Sequence, residues 1–247
     1  YSLETNYSIR FGYLWKEDIE PVCFNNDVDI SIINDNDVIL ITGGLGGIGL
    51  AIAKKISIHH TVKFILLSRN GLSKSNGMKY YNFQVESLEI IKKNNCEVEI
   101  HNCDISDNTK LENIIAQIKE KHQKVDGVIH AASSMPLHIS QRTLKHIEEA
   151  NSAKVLGAIN LYHIFAKQPL KFFIMMSSLA SIMGDIGRLE YCAANSFLDV
   201  LSGLETSHIK HLMAINWPGW SNIGMAVKFS NAPDVADKKD LGNADLL

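Results

Sequence analysis

The sequence predicts an α/β protein with a doubly wound parallel sheet and helices on both faces. Three observations carry that prediction: short apolar runs alternate with longer stretches of helical period, the joints between them are short and polar, and the first run opens onto a glycine-rich turn. With 247 residues and 46% hydrophobic content, the chain can bury the core of one large domain.

The first buried strand is Val38-Ile39-Leu40-Ile41. It runs into Thr42-Gly43-Gly44-Leu45-Gly46-Gly47-Ile48-Gly49 and then the helical stretch Leu50-Ala51-Ile52-Ala53-Lys54-Lys55. Strand, glycine turn and helix in that order make a dinucleotide site. Glycines let the backbone approach a pyrophosphate closely, and the first N–H groups and dipole of the helix favour its charge. Residues 42–49 are therefore cofactor-binding candidates, and the architecture they imply is Rossmann-like. Further strands are expected at Phe64-Ile65-Leu66-Leu67, Val98-Glu99-Ile100, Gly127-Val128-Ile129-His130, Phe172-Phe173-Ile174-Met175-Met176 and Leu212-Met213-Ala214-Ile215. Between them, Leu111, Ile114, Ile115 and Ile118 fall at i, i+3, i+4 and i+7, the stripe of a crossover helix. Function should lie along the crevice at the carboxyl ends of the strands.

Residues 1–36 break the alternation. Their aromatic cluster (Tyr7, Phe11, Tyr13, Trp15) and the joint Asn34-Asp35-Asn36 read as one strand of a neighbouring subdomain plus a linker, with the nucleotide-binding domain covering 37–247. The first residue is tyrosine and the last stretch, 228–247, is polar, so the sequence reads as a piece of a longer protein truncated at its carboxyl end.

A net charge of −3 and a pI near 6.4 give no basic field for nucleic acid or for an anionic membrane. No apolar run is long enough to span a bilayer. Cys23, Cys96, Cys103 and Cys192 lack metal-type spacing and no secretory signal opens the chain, so reduced thiols in the cytoplasm and no metal site are expected.

About 20 residues past the glycines, the tip of the second strand of such a fold meets the adenosine ribose. An acidic residue there suits a free 2′-OH and an arginine a 2′-phosphate. Here the tip reads Leu67-Ser68-Arg69-Asn70, so Ser68 and Arg69 point to NADPH. Asp104, at the end of the third strand, is placed to accept a hydrogen bond from the adenine amino group.

The fifth strand ends in Ser177-Ser178, and thirteen residues later Tyr191-Cys192-Ala193-Ala194-Asn195 opens a helix. Four-residue spacing stacks Tyr191 and Asn195 on one face, so Ser178, Tyr191 and Asn195 can converge at the crevice. With TGGLGGIG, these intervals resemble the short-chain dehydrogenase/reductase superfamily. The common pattern has lysine four residues after the tyrosine, whereas this chain has Asn195 there and Lys154 on the preceding long helix, where the pattern has asparagine. That exchange resembles the ketoreductase domains of modular polyketide synthases. Glu20-Pro21-Val22, Val128-Ile129-His130-Ala131-Ala132, the run from Tyr191 to Leu198, Asn216-Trp217 and Gly224-Met225-Ala226 agree with it.

The resemblance implies an NADPH-dependent reduction of a β-ketoacyl thioester, carried on an acyl carrier protein, to the β-hydroxyacyl product within a multidomain synthase. In that scheme Tyr191 is the acid, Lys154 lowers its pKa, Ser178 holds the carbonyl oxygen, and Asn195 holds Lys154 or a water. It also adds Ile105, Ala131, Ala132, Pro218, Gly219, Lys154 and Tyr191 to the cofactor-binding set. His130 reads as a crevice wall, and Met175, Met176 and Met183 as core or pocket-wall fillers.

The family's Leu-Asp-Asp motif and its tryptophan, each tied to one alcohol configuration, are replaced by Met135-Pro136-Leu137 and Met183, which leans toward the tryptophan-type product. Arg188 and Ser133 stand where relatives carry glutamine and glycine. Polar segments after Met225 are expected to form a lid. Two rival readings are a stand-alone reductase of fatty or small carbonyl substrates and a non-catalytic scaffold domain.

Overall fold

A computed structural model describes residues 7–16, 32–74, 77–134 and 143–220. The motif residues 20–22, 135–137 and 224–226, together with Cys23 and the expected lid after Met225, lie outside the described residues.

Two compact units divide at Ile32 and Ile33. In the first, β1 (Tyr7–Arg10) and β2 (Tyr13–Lys16) form an antiparallel hairpin, where one strand was expected. The reversal sits at Phe11-Gly12, both with positive φ (53° and 80°), the two-residue turn whose twist matches a hairpin. The Asn/Asp joint expected to be linker belongs to the second unit instead: Asn36 N–H donates to the Thr61 carbonyl, and Thr61 N–H to Asp35 Oδ1.

The second unit is built on six parallel strands: β3 (Val38–Thr42), β4 (Lys63–Ser68), β5 (Glu97–Asn102), β6 (Gly127–His130), β7 (Phe172–Ser178) and β8 (Leu212–Trp217). Their spatial order is β5-β4-β3-β6-β7-β8, and every neighbouring pair is parallel. This is the doubly wound order with its switch point between β3 and β6, where crossovers turn to opposite sides and leave a crevice. The connections carry α1 (Gly47–Ser57), α2 (Met78–Lys93), α3 (Asn108–His122), α4 (Leu144–Asn151), α5 (Gly157–Phe165), α6 (Ala180–Met183) and α7 (Leu189–Ser202).

Both faces of the central strands are buried, which is why they read as unbroken apolar runs. Val38, Leu40, Ile65, Leu67, Val128, Phe173 and Met175 join Leu111, Ile115 and Ile118 of α3, Leu161 and Phe165 of α5, and Leu198 and Leu201 of α7 in one cluster. The alternate side chains Ile39, Ile41, Phe64 and Leu66 are equally buried on the opposite face, which α1 and α2 cover through Leu50, Ala53, Leu88 and Ile91. β5 is an edge strand with no fully buried residue: Glu97, Ile100 and Asn102 are exposed, and Val98, Glu99 and His101 are half-buried.

Lys154 lies on the long helical stretch expected for it, in a π-helical turn, Ser152–Leu156, inserted between α4 and α5. Gly157 N–H reaches back to the Ser152 carbonyl five residues earlier. Such wide turns inside helices frequently mark functional sites.

Candidate active site

The glycine turn joins the carboxyl end of β3 to α1. Gly43 has φ +62°, and a Cβ there would lie 2.7 Å from the Ala131 carbonyl oxygen; one on Gly49 would lie 2.6 Å from the Gly43 oxygen. Only glycine fits either place. α1 begins at Gly47 with Gly46 as its cap, and no cap side chain or first-turn carboxylate occupies its N-terminus. A turn this tight, ending at an uncapped positive helix end, fits a pyrophosphate. Leu45 and Ile48 lie within it, and Ala131, whose N–H donates to the Thr42 carbonyl, and Ala132 form its wall beyond β6.

The turn is braced by two residues that motif reading passed over. Tyr80 Oη and Gln84 Nε2 of α2 each donate to the Leu45 carbonyl at 3.0 Å. Their only trace in the sequence is a pair of polar side chains four apart on one helical face.

Ser68 and Arg69 stand at the end of β4, Ser68 half-buried and Arg69 exposed. Asp104 follows β5, its Oδ1 accepting from Ser106 N–H (3.0 Å) and Ser106 Oγ (2.7 Å). Its carboxyl pKa is lowered, on balance of an upward push from burial against these hydrogen bonds and the nearby Arg69 charge. Asp107, not Asp104, caps α3. Ile105 is buried. Pro218 and Gly219 follow β8 and are exposed.

Lys154 is 4% exposed. Its Nζ donates to the Met176 carbonyl at 2.7 Å and to Asn195 Oδ1 at 2.8 Å, and lies 5.7 Å from the centroid of the Tyr191 ring. Asn195 is fully buried and its Nδ2 donates to the Tyr191 carbonyl at 2.7 Å, so one amide links lysine to tyrosine backbone. Burial pushes the Lys154 ammonium down to about 7, against the pull of the Asp199 carboxylate. Ser178 ends β7, two residues past the carbonyl that holds Lys154, and its Oγ accepts from Ala180 N–H at 3.2 Å. The structure thus brings Lys154, Tyr191 and Asn195 together, with Ser178 on the adjoining strand end.

Behind them, Asn216 Nδ2 donates to Ser181 Oγ (2.7 Å) and Asp199 Oδ2 (2.9 Å), tying β8 to α6 and α7. Of the methionines expected as core or pocket-wall fillers, Met175 and Met176 are core residues, whereas Met183 is 65% exposed at the end of α6, outside the core. Arg188 pairs with Asp185 at 2.8 Å. Among the described residues no cluster of His, Cys, Asp or Glu could hold a metal ion, and no helix is long and apolar enough to cross a membrane.

Residues 38–222 match the family model for the KR domain. The highly reducing polyketide synthase cnsI of Penicillium expansum is 29% identical over 204 residues, and polyketide synthase PksN of Bacillus subtilis is 30% identical over 202. These alignments cover 82% and 78% of this chain but only 8% and 4% of those much longer proteins. Among solved structures, a ketoreductase domain from the bacillaene assembly line aligns with TM-score 0.73 and 27% identity over 89% of this chain and 52% of its own. An A-type ketoreductase from a modular polyketide synthase aligns with TM-score 0.66 and 27% identity over 82% and 40%. The exchanged lysine and asparagine therefore sit in a chain that belongs to the KR domain family, the ketoreductases of polyketide synthases within the short-chain dehydrogenase/reductase superfamily, which are oxidoreductases using a nicotinamide cofactor.

Proposed function

We propose that this chain uses NADPH to reduce a β-ketoacyl thioester, carried on the phosphopantetheine arm of an acyl carrier protein, to the β-hydroxyacyl thioester during polyketide elongation in the cytoplasm. The observation that carries the reading is the buried Lys154 ammonium held by Asn195 and the Met176 carbonyl beside the Tyr191 ring. Arg69, with no carboxylate at the same strand tip, supports NADPH over NADH.

NADPH, when bound, supplies a hydride to the β-carbon. The carbon–oxygen π bond breaks as the new C–H bond forms, and the oxygen takes a proton from the Tyr191 hydroxyl. A free phenol holds its proton too tightly near neutrality, with a pKa of about 10, and a neighbouring ammonium favours the phenolate left behind. Lys154 is that ammonium, and Asn195 fixes where its charge sits. Ser178 donates a hydrogen bond to the carbonyl oxygen as charge develops, a contribution of about 3 kcal/mol for a well-placed donor. The hairpin unit belongs, in this reading, to a structural half that precedes the catalytic domain.

The test is the fluorescence loss of NADPH with a β-ketoacyl thioester. Wild-type chain turns over and prefers NADPH to NADH, while Tyr191→Phe still binds NADPH at saturating concentration but loses about a thousandfold or more in kcat. A well-folded wild-type chain that binds NADPH without turnover would leave the scaffold reading standing instead.

A further inference from the structure

His130 ends β6 and is 1% exposed, in contact with groups on both sides of its ring. Its Nε2 lies 3.1 Å from the backbone carbonyl of Lys154, and its Nδ1 lies 2.7 Å from Thr42 Oγ1. A carbonyl can only accept, so Nε2 carries the hydrogen. On a neutral ring Nδ1 is then an acceptor, and the Thr42 hydroxyl donates to it. Burial, with the Lys154 charge nearby, pushes the His130 pKa down to about 3, so the ring is neutral near pH 7.

The geometry points to His130 as a positioning residue: through a directed chain, Thr42 hydroxyl to imidazole to Lys154 carbonyl, it holds open the π turn that aims the lysine at Asn195 and Tyr191. The bond is made to the backbone of the residue whose side chain is at issue, inside the π turn itself. Gly157, just after that turn, lets α5 come this close: a Cβ there would lie 2.4 Å from Ile105 Cδ1 and 3.4 Å from His130 Cε1. Thr42 is also the first residue of the glycine turn, so one hydrogen-bonded line fixes the lysine relative to the strand that carries the pyrophosphate site. The kinetic part of this inference rests on the reductase reading above.

His130→Leu and His130→Gln in the 247-residue chain test it, because a glutamine amide nitrogen can reach the place of Nε2 and donate to the same carbonyl. His130→Leu is expected to lower kcat about 10- to 100-fold, the effect of a shift of about 1 Å in a reacting group, with the Kd for NADPH kept within about threefold. The 13Cε resonance of Lys154, assigned with Lys154→Arg, should move in the leucine variant, and glutamine should restore both kcat and resonance. In wild type, 15N spectra should show the Nε2–H tautomer of His130. Unchanged kcat in His130→Leu, a parallel loss of kcat and NADPH binding, or failure of glutamine to restore either signal would overturn the assignment. If wild type itself does not turn over, the reductase reading fails, while the Lys154 and His130 resonances still decide the positioning role.

Discussion

The two ends of the parallel sheet each bury a charged group, and they treat it in opposite ways. At the amino end, Asp37 precedes β3 and is 2% exposed, and Lys171, just before β7, meets both its carboxylate oxygens at 2.8 and 2.7 Å. Asn34 N–H donates to the same carboxylate, and the neighbouring Asp126 receives Val38 N–H and the Lys124 ammonium. At the carboxyl end, Lys154 is as deeply buried, yet the groups that touch its ammonium are a backbone carbonyl and an amide, both neutral. A carboxylate and an ammonium in direct contact offset each other's charge, whereas the buried Lys154 ammonium faces neutral oxygens and is poised to give its proton up. One end of the sheet holds strands in register, and the other, in the proposed reductase, does proton chemistry.

The largest effect that would break this contrast comes from Lys154→Met. Removing the ammonium from beside Tyr191 should reduce kcat for ketone reduction, read at saturating NADPH, by about a thousandfold, a far larger change than in NADPH binding titrated by cofactor fluorescence. Near-normal turnover would mean that the carboxyl-end charge is structural, like its counterpart below.

Asp37→Asn exchanges the roles. It leaves Lys171 without its carboxylate partner and should lower unfolding free energy by about 2–3 kcal/mol, less than for a wholly enclosed pair because Lys171 can turn partly to water. Urea unfolding reads the loss, and kcat below the unfolding midpoint should stay within about twofold of wild type. A kcat loss without a stability loss would erase the division of labour.

How much of this was legible in the sequence follows from the same physics. β3, β4, β6 and β7 announce themselves because strands buried on both faces must be apolar at every position. The hairpin was missed because Phe11 is an unusual occupant of a positive-φ turn position, and the linker boundary because the Asn/Asp joint is held by bonds to Thr61, distant in sequence. In the candidate site, intervals suggested that Ser178, Tyr191 and Asn195 converge, since strand ends and helix turns repeat at fixed spacing, and Lys154 entered through the resemblance to the ketoreductases; the structure places Lys154 beside Asn195 and the Tyr191 ring. The π turn and the part played by His130 were not, because they depend on a side chain meeting a backbone carbonyl 24 residues away, and no spacing rule encodes such a bond.

The smallest effect, and the one that sharpens the contrast most, is on stability against pH. In the unfolded chain Lys154 titrates at about 10.4, and in the folded one at about 7. Between those values the unfolded state binds the proton and the folded state does not, so raising the pH through this window favours folding; below pH 7 both states are protonated and the full cost of burying the charge is borne. Other groups titrate in the same range, so the useful quantity is the stability of wild type minus that of Lys154→Met. The hydrogen bonds lost from the Met176 carbonyl and Asn195 shift that difference by a constant and leave its slope alone. The urea midpoint of wild type should therefore climb relative to Lys154→Met from pH 7 to pH 9. A flat difference would show that the folded protein keeps Lys154 at its ordinary affinity for the proton, and the carboxyl end would then be no more poised than the amino end.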